Sequence, residues 1–233
     1  MKYAVYTGSR NLYRDMISAC KSLLVNSDVD KIFLLIEDEH FSERLPDCIE
    51  PINVSKQTFF KPGGPNMNSQ YTYLAMMRAA LAYVLPEEVE KVLSLDVDTI
   101  VQKDISDLWD YDITDYYFAA AHEYHRTHNG LLYTNHGVVL YNLKKLREDG
   151  KAREVIDVLN RRKYTWVEQD VMNYLCQGRI LDIPGDYNVN DWTVHRDIKL
   201  LHFAGIPKWQ GRNEILPYKY LSWNAVFEKR KHA

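Results

Sequence analysis

Short apolar runs typical of buried strands alternate along this chain with longer segments whose apolar residues recur at helical spacing. The alternation begins with a strand at residues 3–7 and a helix at residues 12–24. Strands that alternate with helices are typical of a mainly parallel, doubly wound sheet, because each helix carries the chain back to start the next strand. We therefore predict an α/β fold. Further strands are predicted at residues 31–36, 49–54, 91–96, 116–121, 137–141, 179–183 and 199–203, and further helices at residues 68–85, 104–109, 154–162 and 169–177.

The composition suits a single domain spanning residues 1–233. With 46% hydrophobic and 26% charged residues, a chain of 233 residues can bury one substantial core. Its net charge of −3 argues against a general nucleic-acid-binding protein, which normally carries a basic stripe. The basic run at residues 229–231 allows a weak contact with an anionic membrane surface, although a solvated chain end is the more ordinary explanation.

The sequence carries no signal for export or membrane insertion. An apolar leader is missing at the N-terminus, and no window reaches the roughly 18 consecutive apolar residues of a membrane-spanning helix. The cysteines, Cys20, Cys48 and Cys176, lie far apart, which indicates neither a disulfide framework nor a zinc ribbon. We therefore expect a cytoplasmic protein in a reducing compartment.

Two carboxylates, one residue apart, follow the apolar run at residues 91–95. Asp96 and Asp98 are predicted to lie at the carboxyl end of a buried strand, where doubly wound sheets bind their ligands. Carboxylate oxygens suit Mg²⁺ or Mn²⁺, and Mg²⁺ is usually held by one or two carboxylates together with substrate phosphates. The pattern predicts a cation and a phosphate-bearing ligand. A solvated strand end is the alternative, since the motif is common.

Other polar groups follow the last predicted strand and begin a later helix. His202, Gly205 and Lys208 offer an imidazole, a close backbone approach and a cation within seven positions. A metal-bound diphosphate needs such groups, whereas a core histidine beside an ordinary turn is the alternative. Residues 168–170, Glu-Gln-Asp, begin a predicted helix, where acidic residues are also favoured as caps.

Three histidines, His122, His125 and His128, recur at every third position of a polar segment. Zinc-binding histidines on a helix usually lie four residues apart and have an acidic partner, so we do not expect a metal site here. The sequence also lacks the phosphate-binding loop of P-loop nucleotidases and the nucleophile elbow of α/β-hydrolases. Both of these enzyme classes are disfavoured.

The order of the motifs resembles that of the family 8 glycosyltransferases over most of the chain. Arg78 precedes the strand that ends in Asp96-Val97-Asp98, as in that family's helix, strand and Asp-x-Asp run. Residues 135–145, beginning Asn-His-Gly, resemble the family's Asn-Ser/Ala-Gly-Val stretch, and residues 168–170 resemble its Asp-Gln-Asp. Residues 202–209 resemble its His-x-x-Gly-x-x-Lys-Pro-Trp, so four motifs occur in the same order.

The resemblance implies a GT-A fold, which is a Rossmann-like, mainly parallel sheet flanked by helices. It also implies transfer of glucose or galactose from a UDP-sugar to a hydroxyl of a saccharide or glycoconjugate, with retention of anomeric configuration. The implied cofactor is Mn²⁺, or Mg²⁺ in its place, held by Asp96, Asp98 and His202. By the same resemblance Gln169 and Asp170 would be catalytic, and the donor would be bound by Thr7, Asn11, Arg78, Asp96, Val97, Asp98, Asn135, Glu168, Gln169, His202, Gly205 and Lys208.

Several positions depart from the family pattern. Leu12 stands where a tyrosine usually faces the uracil, His136 replaces a small residue, and Glu168 replaces an aspartate that helps to recognise sugar hydroxyls. The proline before Trp209 is also missing. A nucleotide-sugar-binding protein without transfer therefore stays an alternative. A third hypothesis, an Asp-x-Asp phosphatase, fits less well, because that class carries the motif near the N-terminus and needs a later acidic pair.

Overall fold

Nine strands are present among the residues that this computed structural model describes, which are 1–39, 41, 44–67, 69, 71–123, 130–190 and 197–231. The strands are β1 Tyr3–Thr7, β2 Lys31–Ile36, β3 Ile49–Asn53, β4 Lys91–Leu95, β5 Thr99–Val101, β6 Phe118–His122, β7 Thr134–Asn142, β8 Ile180–Ile183 and β9 Leu200–His202. Seven of them form one sheet in the order β3-β2-β1-β4-β7-β6-β8. Its pairs are parallel except those that β7 makes with β4 and β6, which confirms the predicted mainly parallel sheet.

Helices cover both faces of this sheet. The α-helices are α1 Tyr13–Asn26, α2 Tyr73–Met76, α3 Leu81–Val84, α4 Leu143–Glu148, α5 Lys151–Leu159, α6 Val167–Leu175, α7 Leu216–Lys219 and α8 Trp223–Arg230. Single 3-10 turns occur at Arg10–Leu12, Met77–Ala80, Ser106–Asp110, Gly185–Tyr187 and Trp209–Gly211. Side chains of β1 alternate between two apolar cores: Val5 packs with the α2–α6 side, and Ala4 and Tyr6 pack with α1 and α8. Burial on both faces explains why the central strands β1, β2 and β4 are mostly apolar.

The order in which the strands are added to the sheet reverses between β1 and β4, and the candidate site lies at this place. β1 pairs with β2 on one side and with β4 on the other, so its carboxyl end lies at a topological switch point. Beyond β4 the Oγ1 of Thr99 donates a hydrogen bond to the carbonyl of Asp96 at 2.7 Å, which closes a tight turn. The chain then leaves the main sheet as β5, which pairs antiparallel with β9 and sets Thr99 opposite His202.

Some predictions about single elements were wrong. The helix expected at residues 68–85 begins at Tyr73, after Thr72 takes an extended N-cap conformation, and a 3-10 turn interrupts it. The strand expected at residues 199–203 is present as β9, but it pairs with β5 and lies outside the main sheet. The strand expected at residues 137–141 starts earlier, because β7 begins at Thr134 and includes Asn135 and His136. Sequence patterns did not predict β5, α4, α7 or α8.

Other sequence features have definite positions. His122 ends β6, while His125 and His128 fall outside the described residues. Of the basic run near the C-terminus, Arg230 donates to Asp28 at 3.0 Å and to the carbonyl of Val29 at 2.8 Å, so this side chain anchors α8. Among the described residues, none of the helices combines the length and the apolar content that crossing a bilayer requires.

Candidate active site

Asp96, Asp98 and His202 meet at the carboxyl end of β4. The turn after β4 carries both aspartates, and the pairing of β5 with β9 brings the histidine to them. Nε2 of His202 lies 3.6 Å from Oδ2 of Asp96 and 3.4 Å from Oδ1 of Asp98. One ligand atom from each residue lies within 4.8 Å of the others. Two carboxylates and an imidazole are ligands that Mn²⁺ accepts, so the donor set fits a divalent cation.

The charges of these three residues depend on one another. Burial by itself would lower the pKa of His202, but the facing carboxylates, Asp98 foremost, raise it above its ordinary value. Burial would raise the pKa of Asp98, yet the imidazolium of His202 lowers it. For Asp96, burial and the neighbouring Asp98 raise the pKa against the attraction of Arg78. The two carboxylates therefore attract positive charge to the point where they meet.

The imidazole of His202 lies directly against the backbone of Gly137. A Cβ on this glycine would lie 2.1 Å from Cε1 and 2.4 Å from Nδ1 of the ring, far inside van der Waals contact. The Gly137 carbonyl also accepts from the Asp96 amide at 2.9 Å. The glycine of the Asn-His-Gly motif is thus required because it lets β7 touch both the strand end and the histidine ring.

Arg78 joins the aspartates to helix α6. Its Nη1 donates to Oδ1 of Asp96 at 2.6 Å and to the carbonyl of His136 at 2.7 Å. On its other edge, Nε lies 3.0 Å from Oε1 of Glu168, and Nη2 donates to Oε2 at 3.2 Å. Burial opposes its charge, but Asp96 and Glu168 outweigh this and raise the pKa of the guanidinium. A single cation therefore holds the end of β4 and the start of α6 together.

The first turn of α6 presents Gln169 and Asp170 in a fixed hydrogen-bond arrangement. Oε1 of Gln169 accepts from the backbone N–H of His136 at 2.9 Å, and Nε2 donates to the Tyr133 hydroxyl at 3.0 Å. That hydroxyl donates to Oδ1 of Asp170 at 2.6 Å. Oδ2 of Asp170 accepts from the backbone N–H of Trp166 at 2.9 Å. Asp170 therefore reaches back from inside the helix to the backbone N–H of Trp166, the residue that precedes α6, and it also supports Tyr133.

Helix α6 begins with a strained residue. Val167 has φ +38, a left-handed conformation that a β-branched side chain rarely adopts. Such a conformation costs on the order of 1–3 kcal/mol and persists only where the surroundings enforce it. The Val167 side chain is buried in the core, which offsets the strain. The unusual backbone fixes how residues 168–170 face the end of β4.

His136 and Glu168, two of the departures from the family pattern, lie behind the Arg78 guanidinium. Neither side chain is exposed, and Nδ1 of His136 lies 3.4 Å from Oε1 of Glu168. The His136 ring packs edge-on against Phe118 with centroids 5.1 Å apart. Burial lowers the pKa of His136 against the opposing effect of Glu168, and this lowering favours the neutral imidazole. A contact between Glu168 and a donor sugar stays a prediction, since Arg78 covers this carboxylate.

The remaining predicted donor residues surround the same strand ends. Thr7 ends β1, and the side chain of Val97 lies close to the next residue, Gly8, because a Cβ on Gly8 would lie 3.1 Å from Cγ1 of Val97. Asn11 lies in the 3-10 turn after β1, where its Oδ1 accepts from the Ser9 hydroxyl at 2.6 Å. Asn135 lies in β7 beside Gly137 and donates to Glu123 at 3.0 Å.

Gly205 and Lys208 follow β9 in an irregular segment. Both have left-handed backbones, with φ +69 and +56, and both are exposed. The turn conformation alone explains the glycine, because a Cβ there would meet nothing within 4 Å. Within the described ranges, no hydrogen bond or ion pair joins Thr7, Asn11, Gly205 or Lys208 to the Asp96, Asp98 and His202 cluster.

Two residues at the site were missed by sequence reasoning. Tyr133 holds Gln169 and Asp170, and Asn188 places its Oδ1 2.9 Å from Nδ1 of His202. Neither belongs to a motif with recognisable spacing. Tyr133 comes just before β7, and Asn188 follows a 3-10 turn after β8, so only the folded chain brings them to the site.

Comparisons with known proteins agree with this architecture. The sequence model described as glycosyl transferase family 8 matches residues 40–209. The glycosyltransferase GlyE of Streptococcus pneumoniae TIGR4 has a similar structure, with 21% identity and a TM-score of 0.74 over 99% of this chain and 63% of GlyE. The galactosyltransferase LgtC, solved with donor and acceptor sugar analogs, shows 20% identity and a TM-score of 0.68 over 99% of this chain and 95% of LgtC.

A further similar structure is the bifunctional glycosyltransferase WbbM, with 14% identity and a TM-score of 0.74 over 98% of this chain and 51% of WbbM. The chain thus spans 63% and 51% of the lengths of GlyE and WbbM. No curated protein matches the sequence. The structural likenesses show a GT-A fold, and the family match covers well over half of the residues. The chain therefore belongs to glycosyl transferase family 8.

Proposed function

We propose that the protein is a retaining glycosyltransferase that moves glucose or galactose from a UDP-sugar to a hydroxyl of a saccharide or glycoconjugate. The observation that carries this proposal is the convergence of Asp96, Asp98 and His202 at the switch point of the sheet. Arg78 links this cluster to the start of α6, where Gln169 and Asp170 lie. Transfer from a sugar diphosphate requires a cation site for the phosphates and, next to it, fixed polar side chains that face the sugar.

The three ligands would hold Mn²⁺, or Mg²⁺ in its place. When bound, the cation would stabilise the negative charge that develops on the diphosphate as it departs. Lys208 would add a point charge to the same phosphates, and the Gly205 backbone would approach them. Thr7, Asn11 and Val97, at the ends of β1 and β4, would contact the nucleoside.

Gln169 would face the anomeric carbon of the donor sugar. A retaining glycosidase uses a carboxylate as its nucleophile, but Gln169 offers an amide whose two ends are held by His136 and Tyr133. Such a side chain suits the support of a positively charged sugar better than attack on it. We propose that the acceptor hydroxyl attacks on the face from which UDP departs, with Asp170 as a polar aid. Arg78, Asn135 and Glu168 would line or support the sugar site.

The proposal is tested with purified protein, Mn²⁺ and a panel of UDP-sugars. UDP release and a glycoside of unchanged anomeric configuration, identified by NMR, are the expected results, with loss of both in EDTA. A product of inverted configuration would refute the retaining mechanism. Tight UDP-sugar binding without UDP release to any acceptor or to water would instead favour the nucleotide-sugar-binding alternative. A cytoplasmic location stays a prediction.

A further inference from the structure

The hydrogen bonds around His202 determine which ring nitrogen carries the hydrogen. We infer that Asn188 is a positioning residue, which holds the Nδ1–H of His202 and leaves the Nε2 lone pair for a divalent cation. This inference rests on the metal site of the proposed function. It depends on a series of hydrogen bonds that starts at a backbone N–H. The known donor at the start fixes the orientation of the first side chain, and each side chain then fixes the orientation of the next.

The series starts at a backbone amide. The N–H of Gly137 donates to the Asn135 side chain at 2.9 Å, so the accepting atom must be the amide oxygen Oδ1. The other end, Nδ2, donates to Oε2 of Glu123 at 3.0 Å. A backbone donor and a carboxylate acceptor therefore require the same orientation of Asn135, which settles the usual ambiguity of an asparagine side chain.

Asn188 is oriented in turn by Asn135. Its Nδ2 lies 3.0 Å from Oδ1 and 3.4 Å from the backbone oxygen of Asn135, and two oxygens can be met only by a donor. The opposite end, Oδ1, therefore faces Nδ1 of His202 at 2.9 Å. Because an amide oxygen can only accept, the hydrogen must lie on Nδ1.

This assignment has a direct consequence on the other side of the ring. With the hydrogen on Nδ1, the neutral imidazole directs its lone pair from Nε2, the atom that faces Asp96 and Asp98. Histidines that bind metals generally donate their second N–H to a fixed acceptor, which sets the tautomer and the ring orientation. Asn188 is only 4% exposed, so water has little access to replace it.

The tautomer can be measured on the metal-free wild-type protein at alkaline pH, where the imidazole is neutral. Long-range proton–nitrogen correlation spectra, with the His202 signals assigned by comparison with His202→Gln, should show a protonated Nδ1 and an unprotonated Nε2. A hydrogen on Nε2 would overturn the inference. The measurement needs neither bound metal nor transfer activity, so it decides the role of Asn188 even if the proposed function fails.

The effect on the metal is tested with Asn188→Leu, which removes the acceptor at similar volume. We expect Mn²⁺ affinity, measured from the electron paramagnetic resonance signal of the free ion, to fall by about 10–100-fold. Asn66→Leu is the matched control, since Asn66 is a 1% exposed asparagine that bonds to carbonyls of Leu159 and Arg162. It should lower stability and leave Mn²⁺ affinity unchanged.

Unchanged affinity in Asn188→Leu, or an equal loss in the control, would contradict the inference. If Asn188→Leu does not fold, the proton–nitrogen correlation spectra of the wild-type protein still decide the inference, because a hydrogen on Nε2 of His202 would overturn it without any Asn188 variant.

Discussion

Gly137→Ala is expected to disable the metal site by displacing the ring of His202. The new methyl group would lie 2.1 Å from Cε1, so the ring must retreat by about 1.4 Å to reach an ordinary contact of about 3.5 Å. Metal–ligand distances tolerate deviations of only about 0.2 Å. The ring is also held at Nδ1 by Asn188, and the backbone N–H of His202 donates to the carbonyl of Val189 at 3.0 Å, so it cannot retreat freely.

Two quantities should change. The free energy of unfolding in EDTA should fall by about 1–3 kcal/mol, the usual cost of overpacking a well-packed site. Mn²⁺ affinity, measured from the free-ion resonance signal, should fall by at least about tenfold because one ligand leaves its position. Gly211→Ala is the control, since a Cβ at this exposed glycine meets nothing within 4 Å, and both quantities should stay at their wild-type values.

A double-mutant cycle shows whether the ring is responsible. In a His202→Ala background the new methyl group no longer meets an imidazole, so Gly137→Ala should then cost little additional stability. If Gly137→Ala destabilises both backgrounds equally, the clash lies elsewhere and the explanation given for this glycine is wrong.

Two further predictions concern the buried charges. Glu168→Ala should lower the free energy of unfolding by about 3–5 kcal/mol, because it leaves the Arg78 guanidinium buried without its second carboxylate; a loss of under about 1 kcal/mol in denaturant titration would contradict this. The second concerns pH. Because the folded-state pKa of His202 is raised, its contribution to metal-free stability is fully present below about pH 6.5 and is lost as pH rises through the raised value. The lowered pKa of Asp98 gives a contribution present above about pH 3.9 and lost as pH falls through the lowered value. Mn²⁺ affinity should rise with pH as His202 loses its proton. Stability curves that are identical for wild type and His202→Gln on the alkaline side would refute the assignment to His202.

The sequence was sufficient to predict where those residues of the site lie that directly follow strands. Asp96 and Asp98 follow an apolar run, so their position depends on local pattern. His202 was a candidate because it follows the last predicted strand, and the resemblance assigned it to the same metal. The alternation of strands and helices likewise predicted the sheet. These features could be predicted because periodicity and sharp chain reversals are properties of neighbouring residues.

The contacts that make the site rigid could not be predicted in this way. The bonds of Arg78 to both Asp96 and Glu168, and of Asn188 to His202, join residues whose spacing carries no signal. The helix at residues 68–85 was predicted too long because apolar periodicity does not distinguish a continuous helix from short helices joined by a 3-10 turn. The left-handed backbone of Val167 is likewise imposed by the surrounding core, against the preference of the residue.

The pairing of β5 with β9 has a consequence for how the protein is made. During synthesis Asp96 and Asp98 emerge from the ribosome well before His202, so a nascent chain carries two carboxylates for a long interval before it can offer the imidazole. A cation bound by all three residues would then act as a late cross-link, because it closes a long loop and favours only the state in which β9 has docked. Tight cation binding by all three residues would therefore occur only after His202 has been synthesised and β9 has paired with β5.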